Sequence, residues 1–460
     1  MVSFQKKALS CKSRKEKFVF EKFDVRAAEK SGVWSAVSAK NCDCISGALK
    51  AGAGLERFTL ENGENLSLSV SSDMDSVFLW NMSKGDGTYV PAVGVISKKG
   101  SVRLFNLTIG TWTALCVCAT RVRALSAMDL TGVNWLILYG EVGGYACSTL
   151  GSLKQIYPYA VTGACVCGGR LFLASENEKI VYSKPYEPTN FVFSIDDGGA
   201  VSLPTDLGKI VGLVPFQNDV CVLYEYGLGK LEIKGSAREF RFEKIGYGGG
   251  KIFGDSAGVC SVGGEKLFFL AESGVYSFDG KRVEACCKNL EIQPIGDTQV
   301  CNHAEFDGKY FVRFTGKDGV GKGVVVDAES GKGYEAFAPL ALSSSQGQAL
   351  CLADEYVQRI KSFGLLPSGE YFEFHVKKER FGSDKKKLLR ALRFFGKGTL
   401  EICVGNGLKS KTKTIELIDG QAELPIGLLG VEFSVSLRLQ PGAEISKIEA
   451  RTETFSGFGA

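Results

Sequence analysis

The sequence predicts an all-β protein: a β-propeller of about six blades followed by a C-terminal β-sandwich, with an extended N-terminal arm in front. Three observations predict it. Glycine is abundant at 57 residues and proline scarce at 11, and the glycines sit between short apolar runs, which marks many tight turns. One strand–turn–strand pattern recurs at nearly even distance. From Gly369 the texture changes to more charge and clearer apolar–polar alternation. The expected bounds are 1–60 for the arm, 61–368 for the propeller and 369–460 for the sandwich.

The arm comes first. Residues 41–60, NCDCISGALKAGAGLERFTL, are rich in small turn formers and show little periodicity before Phe58. They read as an extended segment over the propeller that helps to close its ring. Gln5–Lys17, QKKALSCKSRKEK, is a basic run interrupted only by Glu16 and reads as a solvated tail.

The repeat follows. TGVNWLILYG begins at Thr131, GGRLFLAS at Gly168, NDVCVLYEYG at Asn218, GGEKLFFLAESG at Gly263 and DGKYFVRFTG at Asp307, so the intervals are 37, 50, 45 and 44 residues. A further short strand precedes each copy. Four antiparallel strands in roughly 40–50 residues is the size of a propeller blade. A lone blade cannot bury both faces, and stacking blades round an axis covers each with its neighbour. Strands covered on both sides are continuously apolar, as in KLFFLA, RLFLA, VCVLY and NWLILY. Weaker copies at Asp75–Asn106 and Ala349–Phe363 extend the series, giving six or seven blades, with six expected. The competing arrangement is a β-solenoid or an irregular pair of sandwiches.

The terminal segment closes the chain. Phe372, Phe374 and Val376 alternate with polar residues, and so do Phe433, Val435, Leu437 and Leu439. That pattern is a sheet with one wet and one buried face. DKKKLLRALRFF (Asp384–Phe395) fits a strand or a short helix, and its flanks favour strand.

Composition excludes several classes. With 55 basic and 51 acidic residues the net charge is +4, too balanced for a dedicated nucleic-acid binder. No apolar stretch approaches the ~18 residues of a membrane span, and the basic start lacks the apolar core of an export signal. The 15 cysteines are odd in number and mostly lie in apolar runs. They read as reduced thiols in a protein made in a cytosol-like compartment. Three pairs stand at i, i+2 (Cys42/Cys44, Cys116/Cys118, Cys165/Cys167), a spacing that shares a strand face but suits a bridge poorly.

No catalytic, cofactor or metal residue is assigned. Cys301 and His303 share a strand face, without a third partner to make a nucleophile site. No C-x-x-C pair exists to hold zinc. GKDGVGKG (Gly316–Gly323) spaces Gly316, Gly321 and Lys322 like a phosphate loop, but Gly323 replaces the magnesium-binding hydroxyl and a strand follows, so it reads as a hairpin turn. SIDDGGAV (Ser194–Val201) approaches a sialidase-type box but lacks its aromatic residue and a second copy. The tryptophans Trp34, Trp80, Trp112 and Trp135 all lie in the first third, so they do not mark equivalent sites round an axis.

The runs IVGLVPFQNDVCVLYEYGLGKLEI (Ile210–Ile233) and GVCSVGGEKLFFLAESGVYSFDG (Gly258–Gly280), ending in the Gly274–Gly280 motif, resemble the β-propeller proteins of bacteriophage tails. These are the tail hub or nozzle proteins and the phage stabilisation proteins. Asn41–Phe58 is similar to the opening of such chains, although Lys50 and Ala51 stand where a basic pair is usual. Leu424–Ala450 resembles their C-terminal sheet, with Gly430 ahead of FSVSL. The resemblance spans residues 20–455. It implies a non-enzymatic structural component of a phage or prophage tail, at the hub, nozzle or head–tail junction, with no catalytic residues to carry over and no cofactor. The implied partners are other virion tail proteins and further copies in a homo-oligomeric ring, with nucleic acid only as the passing genome. The implied location is the virion tail, made and assembled in the bacterial host cytoplasm. The alternative is a carbohydrate-binding or glycoside-hydrolysing propeller for host-surface recognition.

Overall fold

The computed structural model describes residues 12–25, 33–58, 73–118, 120–175, 179–193, 198–234, 239–262, 264–288, 290, 292, 301–354, 356–362, 364–382 and 384–456. Its described residues contain strands and turns and no α-helix. The chain divides into two compact units, Gly54–Ser368 and the combination of Met1–Ala53 with Gly369–Ala460.

The first unit is the propeller. Six of its sheets are separate four-stranded antiparallel sheets. A further antiparallel set of four lies in sequence between the fifth and the last of these: Asn302–Phe306, Lys309–Thr315, Gly321–Asp327 and Gly333–Ala336. The expected propeller of about six blades is present, and with this further set seven four-stranded blades follow one another in sequence. The two weak terminal copies each form a full one. The first blade starts at Met74–Ser83, and the seventh contains Ala341–Ser345, Gln348–Ala353 and Tyr356–Lys361. The first strand of each blade packs on the first strand of the next, and that of the seventh packs on the first blade. Apolar clusters fill the gaps. Phe172 and Tyr224 lie between blades three and four, Phe216 and Phe269 between four and five, and Leu79 and Leu350 between one and seven. The second strands Arg170–Ser175 and Asp219–Tyr224 are buried at every position, the reason Leu171–Ala174 and Val220–Leu223 form continuous apolar runs.

The ring closes on a strand from outside the repeat. Gly54–Arg57 pairs antiparallel with Tyr356–Lys361 and supplies the fourth strand of the seventh blade. Leu55 also exchanges backbone hydrogen bonds with Leu365 at 2.6 and 3.0 Å. The GKDGVGKG segment joins the second and third strands of the sixth blade, with Gly316 N donating to Val320 O at 2.9 Å. Ser194–Asp197 of the sialidase-like stretch lie outside the described residues.

The second unit is a β-sandwich built on one long strand, Lys387–Gly405, which settles the helix-or-strand ambiguity of Asp384–Phe395. Its first half pairs with Gln421–Gly430 and Glu444–Ser456, and its second half with Ser410–Leu417 and Phe433–Leu439. Phe20, Trp34, Phe374, Phe381 and Phe433 meet in one aromatic cluster between the layers.

Residues 12–51 differ from the expected arm. Lys12–Phe20 pairs along its length with Glu444–Ser456, Ser38–Lys40 with Phe372–Glu379, and Leu49–Ala51 with the start of the last strand. Only Gly54–Arg57 serves the ring. The boundary falls at Ala53/Gly54, not at residue 60, because Phe20, Phe23 and Trp34 bury their rings in the sandwich. The basic run is likewise a strand from Lys12 on, and Lys17 reaches the diagonally placed Glu449 at 2.8 Å.

Candidate functional site

Three consecutive blades begin with a β-branched residue, any residue, then glycine: Val161–Gly163, Ile210–Gly212 and Ile252–Gly254. In the third and fourth blades the register slips here, two steps on the first strand opposing one on its neighbour. That is a β-bulge next to the axis. The glycines pack against one another. A Cβ on Gly163 would lie 2.8 Å from Leu213 N, and one on Gly254 would lie 1.8 Å from Val211 O. Only glycine fits, because the atoms met are backbone.

The fifth blade enlarges the same bulge. Between Phe253 and Gly258, five steps on the first strand oppose two on the second. Ser256 pins the loop: its Oγ donates to Phe253 O at 2.5 Å and accepts from Leu270 N at 2.8 Å. The Tyr310 hydroxyl donates to Ser256 O. The extra residues carry Asp255 into the axial cavity, a space of about 510 Å³ lined mainly by the first strands of the blades.

There Asp255 meets two arginines of the second blade. Arg123 contacts it through Nη2 at 2.6 Å and Nε at 2.5 Å, and Arg121 Nη1 lies 3.2 Å away. Arg121 Nε also pairs with Asp75 of the first blade. Blades three and four separate the second from the fifth on the shorter way round, so these ion pairs cross the axis. Burial opposes charge on Asp255, but Arg123 and then Arg121 overcome it and hold the carboxyl below its ordinary value.

His303, from the sixth blade, completes the cluster. Its Nδ1 lies 3.0 Å from Asp255 O and its Nε2 3.2 Å from Glu305 Oε1. Both neighbours are acceptors, so both ring nitrogens are best satisfied carrying protons. Burial pulls the imidazole pKa down, and Glu305 outweighs it and raises the value above the ordinary one. Cys301 is buried, and its thiol is pushed up by that burial, while both His303 nitrogens face other groups. The two do not form an acid–base pair. Every carboxylate lining the cavity has a basic partner: Asp75 and Asp255 have arginine, and Glu305 has His303. Asp255 is held low, the opposite of what a general acid needs. No group of three or more potential metal ligands occurs among the described residues. None of the four tryptophans lines the cavity. Trp80 and Trp135 instead donate to Asn134 O and Asp129 Oδ2.

Of this cluster, sequence reading singled out only His303, and paired it with Cys301 rather than with Asp255 and Glu305. Asp75, Arg121, Asp255 and His303 lie in four different blades, and only ring closure brings them together. The signal that was available is the spacing of Ile252-x-Gly254 followed by an unusually polar Asp255-Ser256.

No family profile matches the chain, and no curated protein does. Among solved structures it is similar to the extracellular domain of BT4673 from B. thetaiotaomicron, described once as a one-component system and once as a hybrid two-component system. Identity is 10% and the TM-score 0.45 in both comparisons, which cover 92% and 87% of this chain. The chain spans 62% and 59% of the length of those structures.

Proposed function

We propose that this chain is a non-enzymatic structural module of a phage or prophage tail, placed at the hub, nozzle or head–tail junction and acting as a rigid piece of the assembly. One observation carries the reading. The axial cavity, the usual place for chemistry in a closed propeller, is bridged by mutually neutralising ion pairs between blades that are not neighbours. Such a cross-brace stiffens a disc and leaves no unpaired carboxylate to act on a substrate. The strand Gly54–Arg57, closing the last blade, supports the same reading. A genome passing such an assembly runs through a ring of several copies, not through the propeller axis, which the Arg–Asp bridge crosses. The purified protein is expected to form rings in negative stain or to join tail particles, without hydrolase activity. A persistent monomer that releases sugar from host glycans would overturn the reading in favour of the carbohydrate-acting alternative.

A further inference from the structure

Of the three cysteine pairs at i, i+2, one is brought into sulfur–sulfur contact. Cys116 and Cys118 stand at the end of the outermost strand of the first blade, Thr111–Val117, which has a partner strand on one side only. Their Sγ atoms are 4.0 Å apart and share a hydrogen bond. A bulge lies beside them. Val102 pairs with Cys116 and Arg103 with Ala114, so Leu115 is the extra residue. Beyond it, Cys118 N is held by Gly100 O at 2.9 Å. Cys116 is half-buried and Cys118 is 8% exposed, within reach of a small reagent but closed to a bulky one.

We propose that Cys116 and Cys118 are a peroxide-reactive dithiol, a modification site that closes to a disulfide within one strand end. Hydrogen peroxide is the oxidant. The Cys118 thiolate attacks one peroxide oxygen, the O–O bond breaks, and hydroxide leaves and takes up a proton as water. This leaves a sulfenic acid on Cys118. Cys116 sulfur then attacks Cys118 sulfur, the S–O bond breaks, and the hydroxide leaves as a second water with the Cys116 proton. Two thiols are oxidised by two electrons and one peroxide is reduced to two waters. The sulfurs must close from 4.0 Å to a bond of ~2.05 Å, so the wide i, i+2 spacing of an extended strand has to shorten at this strand end, which has one neighbouring strand.

The electrostatics favour this pair over the other two. The hydrogen bond from Cys116 brings the Cys118 thiol down to about 7 and pushes Cys116 up. Burial pushes up both members of the other pairs, Cys42 with Cys44 and Cys165 with Cys167. A thiolate is the reactive species, and the shared sulfur–sulfur hydrogen bond favours one in this pair.

Tryptic peptides separate the pairs. Leu104–Arg121 contains Cys116 and Cys118 alone, Gln155–Arg170 contains Cys165 and Cys167, and Asn41–Lys50 contains Cys42 and Cys44. The folded full-length protein is treated with dilute hydrogen peroxide, quenched with an alkylating agent and digested. The expected result is a Leu104–Arg121 peptide lighter by two hydrogens and free of alkyl groups, restored by dithiothreitol. It should appear at least about tenfold faster than the same change in the other two peptides. Cys116→Ser should accumulate a sulfenic acid at position 118, trapped by dimedone when the oxidised protein is denatured, and Cys118→Ser should lose the fast reaction. Equal rates for all three peptides, or fast oxidation persisting in Cys118→Ser, would overturn the proposal. Comparing the same peptides after denaturation is the control, because the rate difference should vanish with the fold.

Discussion

The fourth and fifth blades begin alike and end in different chemistry. Ile210–Phe216 and Ile252–Cys260 both open with isoleucine, one residue and a glycine that packs on the neighbouring strand. The fourth continues as an apolar strand with a small bulge. The fifth makes a larger excursion, and the excursion delivers Asp255 to the axis. The repeat supplies the wall, and one irregular insertion in it supplies the charge. A blade can therefore gain a polar role without losing its place in the ring, provided the inserted loop finds partners for its backbone. Ser256 and Tyr310 are those partners.

The largest expected effect tests the shared part of the comparison. Gly254→Val should cost about 3 kcal/mol or more, since its side chain would enter the Val211 carbonyl. A Cβ on Gly212 meets its nearest atom, Gly254 O, at 3.3 Å, so Gly212→Ala should be much milder than Gly254→Ala. Urea unfolding of the three variants checks the order. Equal losses at the two glycines would mean that the strands do not pack as closely as described.

The next effect tests what is unique to the fifth blade. Asp255→Ala leaves Arg121 and Arg123 short of a counter-charge and should cost about 2 kcal/mol. That is below the ~3–5 kcal/mol of a fully buried pair, because Asp255 is 21% and each arginine 31% exposed. A double-mutant cycle between Asp255→Asn and Arg123→Gln should return roughly 1–2 kcal/mol of coupling. Zero coupling would remove the cross-axis brace and with it the mechanical argument for the tail module. Ser256→Ala should cost about 1–2 kcal/mol, because Leu270 N would lose its buried acceptor.

The same comparison explains what was legible in the sequence. The apolar runs of the second strands declare themselves, because burial on both faces writes a continuous pattern, and so the propeller and its blade length were readable. The seventh blade was harder, since its fourth strand, Gly54–Arg57, lies some 300 residues away from its partner Tyr356–Lys361. Nothing in GLER marks it as an edge strand. The sandwich role of residues 12–51 was hidden likewise, because pairing with Glu444–Ser456 is set by backbone edges and not by a motif. The axial charges were the least legible. Arg121 and Arg123 look like ordinary strand-face residues until closure places them opposite Asp255. The cysteine spacing was readable as a shared face, but not that Leu115 bulges beside one pair.

The smallest effect separates the two blades by pH. The first strand of the fourth blade carries no titratable side chain, so any pH dependence at the axis comes from the fifth blade and its partners. Asp255 is held below its ordinary value, about 4 for a carboxyl. The stability it contributes is present above that value and is lost as pH falls through the lower folded one. His303 is raised, chiefly by Glu305 acting against burial. Its contribution is complete below the ordinary imidazole value of about 6.5 and is lost as pH rises through the folded value. Denaturation midpoints followed from pH about 3 to about 9 should therefore fall on both sides. Asp255→Asn should flatten chiefly the acid limb, and His303→Gln only the alkaline one. Asp255 also adds to the His303 shift, so its loss should move the alkaline limb slightly, whereas His303→Gln should leave the arginine-held carboxylate nearly untouched. Unchanged slopes in both variants would place the titrating groups elsewhere and leave the axial cluster a neutral brace at every pH.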